Sequence, residues 1–318
     1  MPEKVLVTRE IPEAGLGLLD GFDVRVLYER PPERGELLDA IRGANGILST
    51  ATEKMDGEVM DAAGEGLRVI ANMAVGYDNI DVAAARERGV VVTNTPGVLD
   101  ETTADVAFML MLAAARRLGE GERLLRAREW EWWGPKQLRG VDVWGKRLGI
   151  LGLGRIGRAV ARRARGFGME ILYHNRSRNE DAEQELGARY LELQDLFGES
   201  DFISIHTPLT PETRHLIGEK ELGLMQPTAV LVNTSRGPVV DEGALADALG
   251  NGRIFAAGLD VYEEEPKVHP KLFDLENVVL APHIGSASIE TRDKMAKLAA
   301  ENLRAVLSGE PAKTPVDA

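Results

Sequence analysis

The sequence predicts an α/β protein built from two doubly wound parallel-sheet domains. Three observations predict it. Short β-rich runs alternate with helical patterns through the first hundred residues, and the alternation resumes at residue 147 after a long helical interlude. A glycine-rich turn of the form G-x-G-x-x-G follows the first strand of the second run.

In the first run KVLVT (4–8), DVRVLYE (23–29), GILST (46–50), LRVIANM (67–73) and GVVVTNT (89–95) read as strands. EAGLGLLDG, ERGELLDAIRG, DGEVMDAAG and DVAAARERG read as the helices between them, several closing on a glycine that can take the left-handed cap. PGV at 96–98 breaks the pattern. The stretch from Asp100 to Glu129 then reads as one long helix, too apolar along 106–115 to stand free. All four tryptophans follow within fifteen residues, at 130, 132, 133 and 144, as a local core or as aromatic anchors of a dimer contact. From 147 the strands are RLGILGLG, EILYHNR, DFISIHTP, TAVLVNTS, IFAAGLDV and NVVLAPH. A final helix over roughly 287–308 carries an apolar stripe of Ile289, Met295, Leu298, Ala299, Leu303, Val306 and Leu307.

Composition narrows the function. The chain has 318 residues and no cysteine, which excludes disulfides, thiolate metal sites and cysteine nucleophiles. No histidine–carboxylate spacing matches a metal site. A net charge of −13 argues against a general nucleic-acid partner. MPEKVLVTRE lacks the apolar centre of a secretory signal, and the run 106–115 is too short to span a bilayer, so a cytoplasmic protein without membrane partners is expected. Against the acidic balance, seven arginines and a single acid lie between Gly152 and Arg178. Most of them read as a solvated helix face. The local positive field also suits a polyanionic small molecule.

Gly152-x-Gly154-x-x-Gly157 stands where a strand meets a helix. The first glycine permits the tight turn, the second lets the main chain approach a pyrophosphate, and the third lets helix and strand pack closely. Arg155 and Ile156, inside the motif, sit at the helix mouth, where free N–H groups attract phosphate. The acid that holds a ribose hydroxyl belongs about 20 residues on. There the chain has Asn175, Arg176 and Ser177. A carboxylate would repel a 2′-phosphate, whereas a guanidinium and a hydroxyl bind it, so NADP(H) is expected over NAD(H) unless Arg176 is a surface arginine.

Three polar segments end the late strands, where open α/β sheets place ligands. NTSRG presents Arg236, GLDVYEEEP presents Asp260 and three glutamates, and PHIG presents His283. An arginine grips a carboxylate bidentately, and a histidine held by a carboxylate can carry a proton near neutral pH. Together they suit hydride transfer to a 2-oxo acid. Spacing does not choose among Glu263, Glu264 and Glu265.

NMAVGYDNID, NTPGVLDETTADVAFMLML, GLGRIG, HTPLTPETRHLI, VNTSRGPVVDE, AGLDVYEEEP and LAPHIGSAS together resemble the D-isomer-specific 2-hydroxyacid dehydrogenases over nearly the whole chain, the glyoxylate/hydroxypyruvate reductase branch most of all. The resemblance implies a flavodoxin-like substrate domain of residues 1–98 plus 286–318, a Rossmann cofactor domain of 99–285, and catalysis in the cleft. It implies that Arg236 binds substrate, that Glu265 supports His283, and that the main chain of Val75 and Gly76 grips the substrate carboxylate. Asp260 is implied to face the nicotinamide amide, with Thr103, Thr234 and Gly285 as further cofactor contacts. NRS matches the NADP-preferring members. The resemblance also implies a homodimer through 101–145, in which Gln137 replaces an aromatic residue that relatives often place near the partner's pocket. Phosphoglycerate dehydrogenases and dinucleotide-gated corepressors share the scaffold. The missing C-terminal extension and the NRS tip set the chain apart from the former, its compactness from the latter.

Overall fold

The computed structural model describes residues 2–27 and 30–316. The chain divides into two units, Met1–Leu99 with Ser286–Ala318, and Asp100–Gly285. Each is a parallel sheet covered by helices.

The first unit contains β1 (Lys4–Val7), β2 (Asp23–Val26), β3 (Gly46–Ser49), β4 (Val69–Asn72) and β5 (Val91–Thr93), in the order β2-β1-β3-β4-β5. Every residue of β3 and β4 is buried, as expected of central parallel strands covered on both faces. The edge strand β2 is mostly exposed and ends at Val26; Tyr28 and Glu29 of the expected strand lie outside the described residues. The helix Gly57–Ala63 begins where the Asp56 side chain accepts the Val59 N–H and ends at Gly64, whose φ of 91° only glycine adopts readily. The last helix, Ile289–Leu307, packs on β3 and β4. Its expected stripe holds with one correction: Ile289 is 81% exposed. It stands directly after the cap, where Ser288 accepts the Thr291 N–H, and so precedes the turn that meets the sheet.

The second unit contains β6 (Arg147–Leu151), β7 (Glu170–His174), β8 (Arg189–Tyr190), β9 (Phe202–Ile205), β10 (Val230–Asn233), β11 (Ala256–Leu259) and β12 (Val278–Leu280). Their order is β12-β11-β10-β9-β6-β7-β8, so the direction of winding reverses between β6 and β9. Open α/β sheets bind ligands at such a reversal. The edge strand β8 has only two residues, too few to carry a periodicity that sequence could show.

The helix expected from Asp100 to Glu129 is two helices, Asp100–Ala115 and Leu118–Arg126. Arg117, at φ 53°, breaks it. The cause is competition for the Ala115 carbonyl, which accepts the Val141 N–H at 2.9 Å. Gly140 lies so close that a Cβ there would sit 2.1 Å from that oxygen. The first helix is buried against β10 and β11, whereas the second buries none of its residues. The tryptophans do not form a local core: Trp130, Trp132, Trp133 and Trp144 are 50–76% exposed.

Candidate active site

The glycine turn joins β6 to the helix Arg155–Gly166. A Cβ on Gly152 would lie 2.8 Å from the His206 carbonyl carbon, beyond the end of β9, and one on Gly157 would lie 2.3 Å from the Gly152 oxygen. These two glycines are therefore demanded by the protein itself. At Gly154 a Cβ would meet nothing within 4 Å. Gly154 borders open space at the reversal point, and no side chain caps the helix that starts there. Buried polar atoms without partners among the described residues lie at the same sheet edge: His206 Nδ1 and Thr207 Oγ1 after β9, and Thr234 Oγ1 after β10. Burial pushes the His206 imidazole down to about 3, so it is neutral there, with Nε2 on Ser204 Oγ at 2.8 Å. An open glycine, uncapped helix N–H groups and unpartnered polar atoms on one edge fit a dinucleotide.

Beyond β7 the chain is tightly braced. The Tyr173 hydroxyl donates to Glu183 at 2.6 Å and accepts the Asn179 N–H at 2.8 Å. Asn175 turns inward, its Oδ1 accepting the Leu153 N–H of the glycine turn at 2.7 Å. Arg178 is held by Glu183 at 2.6 Å, and hydrogen bonds from Arg178 and Tyr173 pull the Glu183 carboxyl to about 2. Of the seven arginines between Gly152 and Arg178, Arg155 pairs with Asp100, Arg158 with Glu185, Arg162 and Arg163 with Glu101, and Arg165 donates to the Glu185 carbonyl. Arg176 is exposed and has no hydrogen bond or ion pair among the described residues. Its charge reaches the Glu212 carboxyl, which is lowered by its Thr210 hydrogen bond first and by Arg176 last.

The three strand-end segments follow β10, β11 and β12, which are parallel neighbours, so one sheet edge carries Arg236, Glu265 and His283. His283 Nδ1 lies 2.7 Å from Glu265 Oε2. A carboxylate has no proton to give, so Nδ1–H donates and Nε2 is the atom left for chemistry. The other carboxylate oxygen, Oε1, accepts the Tyr262 N–H at 3.1 Å, which fixes the glutamate. Of the three glutamates, Glu265 is the one that meets His283. Glu263 pairs instead with His215 Nε2 at 2.9 Å and accepts the Glu242 N–H at 2.8 Å, while Glu264 is exposed.

His283 stands at φ 53°. A left-handed conformation costs a non-glycine residue about 1–2 kcal/mol. Asp260 holds it, each carboxylate oxygen accepting one N–H, from Ile284 and from Gly285, both at 2.7 Å. Hydrogen bonds to a charged group contribute roughly 1.5–3 kcal/mol each, so the pair outweighs the strain. Burial raises the Asp260 carboxyl and the Ile284 N–H draws it back. A Cβ on Gly285 would lie 3.0 Å from that carboxylate and 3.4 Å from Thr103 Cγ2, which places Thr103 and Gly285 beside Asp260. Asp260 therefore braces the histidine loop, a role that spacing across 24 residues could not reveal.

Arg236 is positioned by a turn that sequence reading missed. Buried Asn233 donates to the Arg236 carbonyl at 2.9 Å and accepts from the Ser235 N–H and hydroxyl, each at 3.0 Å. The arginine itself donates to the Ser235 carbonyl at 2.8 Å. At Gly237 the arginine loop presses on the glutamate loop, because a Cβ would sit 1.9 Å from the Tyr262 carbonyl carbon. Main chain meets main chain there, so nothing flexible can yield. Gly237→Ala is expected to cost roughly 1–3 kcal/mol of stability or more, seen as a lower midpoint in urea unfolding. It should also displace the Arg236 loop from the Glu265 loop.

Val75 and Gly76 lie in the turn after β4, in the first unit. Among the described residues no group of three or more His, Asp or Glu could hold a metal ion, and no helix is long and apolar enough to cross a membrane.

One edge of one sheet carries both a glycine turn that fits a dinucleotide and the His283–Glu265 pair; the chain is an NAD(P)-dependent oxidoreductase. The profile of the D-isomer specific 2-hydroxyacid dehydrogenase NAD binding domain matches residues 108–285. A glyoxylate reductase of Thermococcus litoralis is 52% identical over 316 residues, covering 98% of this chain and 95% of that one. A Thermus thermophilus protein of known structure is 46% identical, with a TM-score of 0.93 over 99% of this chain and 100% of its own. An NADPH-dependent glyoxylate/hydroxypyruvate reductase of Sinorhizobium meliloti, solved with NADP and malonate, is 38% identical, with a TM-score of 0.89 over 99% and 97%. The chain belongs to the D-isomer-specific 2-hydroxyacid dehydrogenase family, glyoxylate reductase type.

Proposed function

We propose that this protein is an NADPH-preferring reductase that converts glyoxylate to glycolate and hydroxypyruvate to D-glycerate. The observation that carries the reading is the His283–Glu265 pair, 2.7 Å apart at the strand ends that also bear Arg236, in a chain half identical to a glyoxylate reductase along its length. The unit Asp100–Gly285 holds the dinucleotide and the other unit contributes the substrate grip. When bound, the reduced nicotinamide supplies hydride to C2 of the 2-oxo acid.

The protein's own residues do the rest. Gly152, Gly154 and Gly157, with the main chain of Arg155 and Ile156, receive the pyrophosphate. Arg236 binds the 2-oxo acid by paired hydrogen bonds, the geometry in which a guanidinium discriminates best. His283 Nε2–H gives its proton to the oxygen that becomes negative as C2 is reduced. Nδ1–H stays on Glu265, which keeps the ring oriented and stabilises its charged form before transfer. Val75 and Gly76 hold the substrate carboxylate through N–H groups. Thr103, Thr234, Asp260 and Gly285 border the nicotinamide. Arg176 and Ser177 select NADPH. The exposed tryptophans and the unburied helix Leu118–Arg126 support a homodimer through 101–145, since a large apolar surface of this kind marks an interface.

Initial rates with glyoxylate and hydroxypyruvate, each with NADPH and with NADH, test the reading. Turnover of both acids with kcat/KM at least about tenfold higher for NADPH is expected, a difference of about 1.4 kcal/mol. Absence of turnover with either acid would reject it.

A further inference from the structure

The turn proposed to grip the substrate carboxylate has no cationic side chain of its own, so its affinity depends on how its N–H groups are aimed. In a trans peptide the N–H points opposite to the preceding carbonyl, so fixing a carbonyl fixes the next residue's N–H. Three successive carbonyls of this turn are fixed. Ala74 O accepts the Thr95 N–H at 2.8 Å, Val75 O accepts Asn94 Nδ2 at 2.8 Å, and Gly76 O accepts Asn72 Nδ2 at 2.9 Å. The N–H groups of Val75, Gly76 and Tyr77 are thereby turned to the other side, where none of them donates to any described residue. Successive N–H groups exposed in this way form a concave anion site.

Two of the three fixing donors are side chains, which the sequence could have supplied in other ways. We infer that Asn94 and Asn72 are positioning residues for substrate: Asn94 aims the Gly76 N–H, and Asn72 the Tyr77 N–H, at the carboxylate of the 2-oxo acid. Asn94 is itself anchored. Its carbonyl accepts the Thr314 hydroxyl at 2.6 Å, and buried Asn302 holds Thr314 through both its hydroxyl, at 2.8 Å, and its N–H, at 3.0 Å. The C-terminal segment thus reaches the anion site through one residue. Asn72 is completely buried, with Oδ1 accepting the Ser49 hydroxyl at 3.2 Å. The inference rests on the reading that Val75 and Gly76 bind the substrate carboxylate.

The test is the binding of oxalate, a non-reducible dicarboxylate, to the NADPH complex by titration calorimetry, with KM for glyoxylate measured alongside. Asn94→Ala removes the donor. Asn94→Asp also sets a carboxylate against the Val75 carbonyl and should be worse. Oxalate affinity is expected to fall roughly tenfold in the first variant and further in the second, KM rising with it, while NADPH affinity and melting temperature stay at their wild-type values. Unchanged oxalate affinity in both variants would overturn the inference. So would a loss that runs parallel to losses in NADPH affinity and melting temperature, because that marks a general structural role. Wild-type protein that binds oxalate yet reduces no 2-oxo acid would instead reject the reductase reading, and the two variants would still decide the role of Asn94.

Discussion

His283→Ala is expected to lower kcat for glyoxylate by about 10²–10⁴, the range for losing a positioned acid or base, while the NADPH dissociation constant stays unchanged. The split follows from the geometry. Among the described residues His283 Nε2 makes no hydrogen bond, and the only group its ring binds there is Glu265. The dinucleotide turn lies at the ends of β6 and β9, away from β12 in the strand order. Folding is protected by a second variant. At φ 53° asparagine is one of the few residues at ease, so His283→Asn should keep the loop, its two bonds to Asp260 and its melting temperature, and yet lose the same turnover. Glu265→Gln should fall less, because an amide can still accept from Nδ1–H but adds no charge to stabilise the imidazolium. Near-wild-type kcat in both His283 variants would remove the histidine from the chemistry and with it the proposed proton path.

The parts of the fold that were legible in the sequence are those in which a single physical cause acts locally. Central strands such as GILST and TAVLVNTS read as strands because a parallel sheet buries both faces, which leaves continuous apolar runs. The glycine turn was legible because each glycine answers a separate contact, two of them to the protein's own backbone. What escaped was set by contacts between distant segments. The break at Arg117 depends on Val141 taking the Ala115 carbonyl, and nothing near Arg117 announces it. The concentration of tryptophans suggested either core or contact, and nothing in their spacing tells that all four are exposed, after a helix that buries none of its residues. Glu263, Glu264 and Glu265 are chemically alike, and only the partners at His215 and His283 separate them. Asp260 and Asn233 show the same limit, since each acts by holding main-chain groups, which no side-chain pattern records.

Exchanging Asn175→Asp together with Arg176→Ile is expected to reverse the cofactor preference. The aspartate keeps the structural work of the asparagine, because a carboxylate oxygen can accept the Leu153 N–H just as Oδ1 does at 2.7 Å, so the glycine turn should hold. The second oxygen then offers the ribose hydroxyls an acceptor and repels a 2′-phosphate. Removing Arg176 takes away the one arginine of the cluster that has no hydrogen bond or ion pair among the described residues. Charge-assisted hydrogen bonds contribute about 1.5–3 kcal/mol, so the ratio of kcat/KM for NADPH over NADH should fall by roughly tenfold to more than a hundredfold. Arg178 is the control. It is two residues away and equally charged, but Glu183 already engages it, itself held by the Tyr173 hydroxyl, and binding phosphate would mean breaking that pair. Arg178→Ala should leave the ratio where it was. If instead Arg178→Ala moves the ratio and the double exchange does not, charge at this strand end selects the cofactor through a rearranged loop, and Arg176 is a surface arginine like the rest of its helix-side neighbours.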